Sequence, residues 1–202
     1  MNKGIWLFIF FMGLLWSAIN PKDLFTWFLE VLPALIGLFI LVWTAKRFPL
    51  TPFIYILILL HALVLMVGGH YTYAEVPLFD WFKEWFGFER NNYDKIGHFM
   101  QGFVPALITR EILLRKNVIS SLSWMNFFII CFVLAFSAFY ELIEWFVAEL
   151  SGEDAEAFLG TQGYVWDTQS DMALALLGGI VALVFFSRYH DRQLQNIEKG
   201  KN

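Results

Sequence analysis

A chain of 202 residues that is 58% hydrophobic and 19% aromatic, with only 16% charged residues, is too apolar for a water-soluble domain and points to an integral membrane protein. Its formal net charge of -4 and its lack of clustered Lys and Arg exclude nucleic acid as a partner, because neutralising phosphates takes such clusters. The one cysteine, Cys131, lies in an apolar run, so neither an intrachain disulfide nor a thiolate metal site is expected.

A hydrocarbon core about 30 Å thick takes about 20 apolar residues per helix. That length predicts six spans, at about 4–19, 25–45, 51–69, 95–114, 125–148 and 168–188. The expected fold is all-α: a polytopic membrane protein with one six-helix transmembrane domain over 1–188 and a polar cytoplasmic tail over 189–202. The tail has too few apolar residues to pack and is expected to fray. The first segment follows Lys3 and is short enough to suggest a signal peptide, but Trp16, Ser17, Ala18, Ile19 and Asn20 offer no clear A-x-A cleavage site, so it is read as a span.

Positive charge collects in cytoplasmic loops. With six spans and a cytoplasmic amino terminus, the inside holds Lys3, Lys46, Arg47, Arg110, Arg115, Lys116, Arg188, Arg192, Lys199 and Lys201. The outside holds Lys22, Lys83, Arg90 and Lys95. This ten-to-four division of the fourteen Lys and Arg predicts a multi-pass membrane protein with both termini cytoplasmic.

Two outer connections are long. In the first, Leu78, Phe79, Trp81, Phe82, Trp85 and Phe86 gather on one helical face, with Asp80, Lys83, Glu84 and Gly87 on the other. This pattern predicts an amphipathic interfacial helix over 78–88 with its rings at headgroup level, although packing on the protein itself uses the same rings. The second, over 149–167, carries Glu153, Asp154 and Glu156, with turns at Gly160 and Gly163, and reads as a solvated loop. Pro33, Pro52 and Pro105 fall within spans and are candidate kinks. Gly178 and Gly179 permit close helix contact.

Titratable residues interrupt three of the spans. The fourth runs inward and opens with Tyr93, Asp94, Lys95, Ile96, Gly97 and His98; the fifth runs outward and ends through Tyr140, Glu141, Leu142, Ile143 and Glu144; the sixth runs inward from Asp167 through Asp171. Three helices therefore bring Asp94, His98, Glu141, Glu144, Asp167 and Asp171 to one outer depth. Spacings of i,i+4 or i,i+3 put each pair on one face. Gln101, Ser137 and Ser170 extend these faces, Lys95 can pair with the acids, and His70 and Glu75 stand where they could close the remaining side.

An ionised Asp at the bilayer centre costs roughly 2.5 to 3.5 kcal/mol even on the gentler scale. Several of them would use up much of a typical stability of about 5 to 15 kcal/mol. These groups must face a wet cavity, pair with one another or hold a cation. Structural roles compete for each. Asp94 and Asp167 suit helix N-caps, His98 could be a core histidine satisfied by Asp94, and His61 reads as a buried polar contact. Arg110 and Glu111 can pair locally near the cytoplasmic end.

The runs YDKIGHFMQGFVPAL, FYELIEW and FLGTQGYVWDTQSDM resemble the signature blocks of the YjdF family of bacterial inner-membrane proteins, a domain of unknown function, over about 60–187. More loosely, Asp94 and Lys95 followed by His98, then Glu141, then a final helix led by Asp167, are similar to the pattern of VanZ-like membrane proteins, a group linked to glycopeptide-antibiotic resistance. Glu144 and Asp171 depart from that pattern, which tends to amides there. The resemblance implies location and fold grouping and supplies no reaction.

The residues point first to an outward-facing pocket with His98, Glu141, Glu144 and Asp171 as catalytic candidates. Asp94, His98, Glu141, Glu144, Asp167 and Asp171 are candidate ligands for a divalent metal such as Mn, Mg, Fe or Zn. Lys95, Gln101, His70 and Glu75 complete the expected pocket. The substrate expected beside the bilayer is a lipid or cell-envelope precursor. Without a metal, a carboxyl of raised pKa and His98 could serve as acid and base. No nucleophile or phosphate-loop motif is present. The rivals are a proton- or cation-coupled transporter, weakened by the expected lack of mid-membrane charge in spans one to three, and an assembly factor whose polar network fixes helix register.

Overall fold

The computed structural model describes residues 2–151 and 161–199. Glu153, Asp154, Glu156 and Gly160 of the expected acidic loop lie outside the described residues. The regular elements are all helical, in the order α1 (Lys3–Ala18), α2 (Leu24–Thr44), α3 (Pro52–His70), α4 (Pro77–Phe86), α5 (Asp94–Arg115), α6 (Leu122–Ser151) and α7 (Asp167–Val181). A π-helical turn (Ala182–Phe186) then leads without a break into α8 (Ser187–Lys199).

Four helical stretches have the length and apolarity to cross a membrane: Leu24–Thr44, Pro52–His70, Leu122–Ser151 and Asp167–Ile197. The other two expected spans differ from these for physical reasons. The 16 residues of α1 reach about 24 Å at 1.5 Å per residue, short of a full hydrocarbon core. Helix α5 is long enough but polar, because it sits between α3, α6 and α7 and turns much of its surface to protein. The large exposed apolar side chains lie instead on helices such as α2 and α6, including Phe39, Trp43, Phe128, Phe139 and Trp145.

The most extensive packing is between α5 and α7. A Cβ on Gly102 would lie 1.7 Å from the Ala175 carbonyl oxygen, and one on Gly178 would lie 2.1 Å from the Phe99 carbonyl oxygen. The backbones touch directly, as small residues permit where lipid offers no hydrophobic drive. This meets the expectation for Gly178. Around the contact, Ile54, Leu107, Met125, Ile129, Val133 and Ala175 form a buried core joining α3, α5, α6 and α7. The α5–α7 contact fixes the depth of Asp94 and His98 against Asp167 and Asp171.

Pro33 and Pro105 lie inside helices, as expected, but Pro52 is the first residue of α3 rather than an internal kink. Its fixed φ and missing N–H suit that position. The orphan donors of that first turn find remote acceptors. Thr51 N–H donates to Glu111 at 3.1 Å, and Phe53 N–H to Gln193 Oε1 at 3.0 Å.

The second acceptor belongs to α8, so the tail does not fray over its described length. Its helix runs on to Lys199, with His190 fully buried and Leu194 nearly so. A composition count missed this because polar partners, not apolar area, hold the helix.

Helix α4 ends on Gly87, whose φ of 68° gives the left-handed cap that favours glycine. Its rings divide between two directions. Trp81 and Trp85 stack at 5.2 Å and stay exposed, whereas Phe79 packs edge-on against buried Tyr93 at 5.2 Å.

Candidate functional site

The N-terminal ends of α5 and α7 and the second half of α6 meet around His98. Its Nδ1 lies 3.8 Å from Glu141 Oε1 and 3.4 Å from Gln101 Oε1, and its Nε2 lies 3.7 Å from Asp171 Oδ2. The side chains of His98, Glu141 and Asp171 are only 13%, 8% and 5% exposed. One ligand atom from each of the three can be chosen so that all lie within 4.8 Å of one another. An ion with bonds of about 2.0 to 2.2 Å holds opposite ligands at most about 4.4 Å apart, so the three fit around one ion after closing by a few tenths of an ångström.

Buried carboxylate oxygens normally have partners. Glu141 Oε1 makes no hydrogen bond among the described residues and lies 3.8 Å from His98 Nδ1, and the hydroxyl of fully buried Ser137, one turn earlier on α6, makes none either. Both are oriented by a lipid-facing helix whose period returns to the protein interior every fourth residue. Ser170 Oγ approaches Asp171 Oδ1 at 3.5 Å. Glu144 is half-buried and within electrostatic range of Glu141 and Asp171, so it borders the cluster.

Asp94 and Asp167 form an adjoining set with Asp171, again with one oxygen from each within 4.8 Å of the others. Neither is the N-cap of its helix, although Asp94 Oδ1 accepts from the Lys95 N–H of the first turn at 2.8 Å. The N-cap positions fall to Tyr93 and Trp166, and both aspartates turn to Arg90. Arg90 Nη2 pairs with Asp94 Oδ2 and Nη1 with Asp167 Oδ1, while Nη1 also donates to the Thr161 carbonyl at 3.2 Å. Asp94 is therefore taken by Arg90 and is not the partner of His98. The Lys95 ammonium lies 5.8 Å from the Tyr164 ring centre, over the same ring that Arg90 faces at 5.5 Å.

His70 and Glu75 do not join the site. His70 Nδ1 lies 3.0 Å from the Ser17 carbonyl oxygen with its ring against Trp16, and Glu75 pairs with Lys22 at 2.8 Å. That pair is exposed, and the Glu75 carboxylate, by hydrogen bond and charge, holds the Lys22 ammonium above its ordinary value.

Two participants escaped the sequence reading. Arg90 counted only as an outer charge, although it stands four residues before Asp94. Glu30, a lone acid in the apolar run of α2, is 5% exposed and hydrogen-bonds with Tyr73. Glu30 lies in the first third of α2, towards the Leu24 end rather than the middle of the span. Thr72 and Tyr73, at φ 55° each, turn the Tyr73 ring inward, where it fills the space that a Cβ on Gly68 would occupy. Electrostatic range links Glu30 to Glu144, and His61 to His98.

The description "predicted membrane protein (DUF2238)" belongs to a family that matches residues 3–192, a stretch containing every site residue above. The inner membrane protein YjdF of Escherichia coli (strain K12) is 52% identical over 182 residues, covering 90% of this chain and 87% of that protein. The chain belongs to this family. It is a membrane protein of a family without an assigned reaction, and these matches carry the YjdF resemblance and not the VanZ-like one. No solved structure matches the chain.

Proposed function

We propose that this family member is a six-span inner-membrane protein, with both termini cytoplasmic, whose outward-facing pocket binds one divalent cation and acts on a lipid or cell-envelope precursor. His98, Glu141 and Asp171 are the ligands in this reading, with Glu144 and Gln101 beside them. The observation that carries it is the buried Glu141 Oε1, which makes no hydrogen bond among the described residues and faces His98 across 3.8 Å. An acceptor left so in low dielectric is costly without a counterion, and imidazole with carboxylates suits Mn, Zn, Fe or Mg. The bound ion would polarise a phosphoryl or acyl oxygen or activate water.

The lipid side of the reading rests on α4. A cleft of about 400 Å³ lined by Phe79, Phe82, Phe86, Phe88 and Asn92 reaches within two residues of Asp94. With Trp81 and Trp85 at headgroup level, α4 would lie in the outer interface and present lipid to the pocket. The ten-to-four charge bias supports the orientation, and 1–188 serves as one transmembrane unit with 189–202 on the cytoplasmic side.

Metal analysis of the purified protein tests the proposal. One divalent ion per chain, lost in His98→Ala at unchanged abundance, supports it; no ion in the wild type defeats it.

Glu30 favours a second reading, a proton- or cation-coupled transporter, because it extends the acids from Asp171 and Glu141 through Glu144 into α2. Proton counterflow in sealed vesicles that disappears in Glu30→Gln would select this reading.

A further inference from the structure

The two carboxylate sets share Asp171, and such sharing is the geometry of a two-ion site, in which a bridging carboxylate joins cations about 3.5 to 4 Å apart. Only one set is open. Between Asp94 and Asp167 lies the Arg90 guanidinium, nine-tenths buried, paired with both carboxylates and also donating to the Thr161 carbonyl. The guanidinium thus meets at least three oxygens among the described residues, the kind of contact a small cation would otherwise make.

We propose that Arg90 is a built-in second cation: it occupies the Asp94–Asp167 half of a two-ion site and limits the protein to one divalent ion, at His98, Glu141 and Asp171. This rests on the metal reading above for the open half. The chemistry favours arginine for the role. A planar guanidinium stays charged at all accessible pH and meets carboxylates as a rigid fork, whereas a lysine ammonium is a mobile point charge. Asp94 and Asp167 are then engaged without an exchangeable ion, and the neighbouring site keeps a fixed positive charge. Chain connectivity supplies the residue cheaply, since Arg90 enters from the segment leading directly into α5.

Equilibrium dialysis of the full chain in detergent against Mn2+ tests this, because the gain in bound ions, not the total, is the readout. The wild type should bind one Mn2+, Arg90→Lys one, and Arg90→Met two. Wild type binding none while Arg90→Met binds one would support the role of Arg90 and defeat the metal reading of the open half. Equal stoichiometry in the wild type and Arg90→Met would overturn the inference, as would two ions in the wild type. Failure to recover folded Arg90→Met from cells supplied with Mn2+ would overturn it too, because an ion seated between Asp94 and Asp167 would restore the lost charge balance.

Discussion

The two ends of α5 carry the same kinds of residue in opposite states. At its C-terminal end Glu111, His190 and Arg110 are almost fully buried and each makes close contacts, although Arg110 Nε and the Thr51 hydroxyl have no hydrogen-bond partner among the described residues. Glu111 accepts from Thr51 N–H at 3.1 Å, from Arg115 at 2.6 Å and from His190 Nε2 at 3.0 Å; Arg110 reaches Asp191 at 2.6 Å. At its N-terminal end His98 stands 3.4 to 3.8 Å from its neighbours, and Glu141 Oε1 makes no hydrogen bond among the described residues. A buried polar network is rigid when complete and costly when incomplete. The contrast lies in spacing: contacts of 2.6 to 3.1 Å join α3, α5 and α8 as a clamp, whereas the N-terminal groups stand 3.4 to 3.8 Å apart, room that the proposed ligand would use.

The comparison breaks first if the clamp is dispensable. Glu111→Ala strands His190, Arg115 and the Thr51 N–H, and should cost about 3 to 5 kcal/mol, the range for removing one partner of a buried pair. Loss of monodisperse protein in detergent reads this out; wild-type yield would show the clamp is not structural.

A ligand should sharpen the contrast next. At a hundredfold excess over its dissociation constant, Mn2+ should stabilise the wild type by about 2.7 kcal/mol, an effect absent from His98→Ala. Thermal unfolding with Mn2+ and with a chelator measures it.

Substitution within the open site should cost little by comparison. Glu141→Gln removes an uncompensated acid, so stability should stay within about 1 kcal/mol of the wild type or rise, while Mn2+ binding is lost. A destabilisation as large as that of Glu111→Ala would make both ends structural.

The smallest effect belongs to Lys22 and Glu75. A lysine raised by its partner stabilises fully below its unfolded value, and the contribution fades as pH rises through the folded one. That contribution is fully present near neutral pH but small because the pair is exposed, so Glu75→Gln should lower thermal stability there only slightly, and a large loss would contradict this.

Much of this contrast was legible in the chain. Helical period put Asp167 on the face of Asp171 and alternating span direction put Glu141 beside His98, because both follow from local geometry; the same period put Asp94 with His98, but Asp94 turns to Arg90 instead. Arg90 was not legible, since a loop's path, not a period, aims its side chain between two helices. Glu30 was visible as a lone acid in an apolar run, but its hydrogen bond depends on the left-handed turn at Thr72 and Tyr73. Composition gave the wrong fate for the segment after Arg188 because His190 and Gln193 bind partners 79 residues away in α5 and 140 residues away in α3.

The most direct measurement is Mn2+ stoichiometry in wild type, His98→Ala and His190→Ala, each assayed on the folded fraction. The account predicts one ion in the wild type, none in His98→Ala and one in the reduced yield of His190→Ala. An ion retained in His98→Ala, or lost equally from both variants, would contradict the division of α5 into a clamped end and an open one.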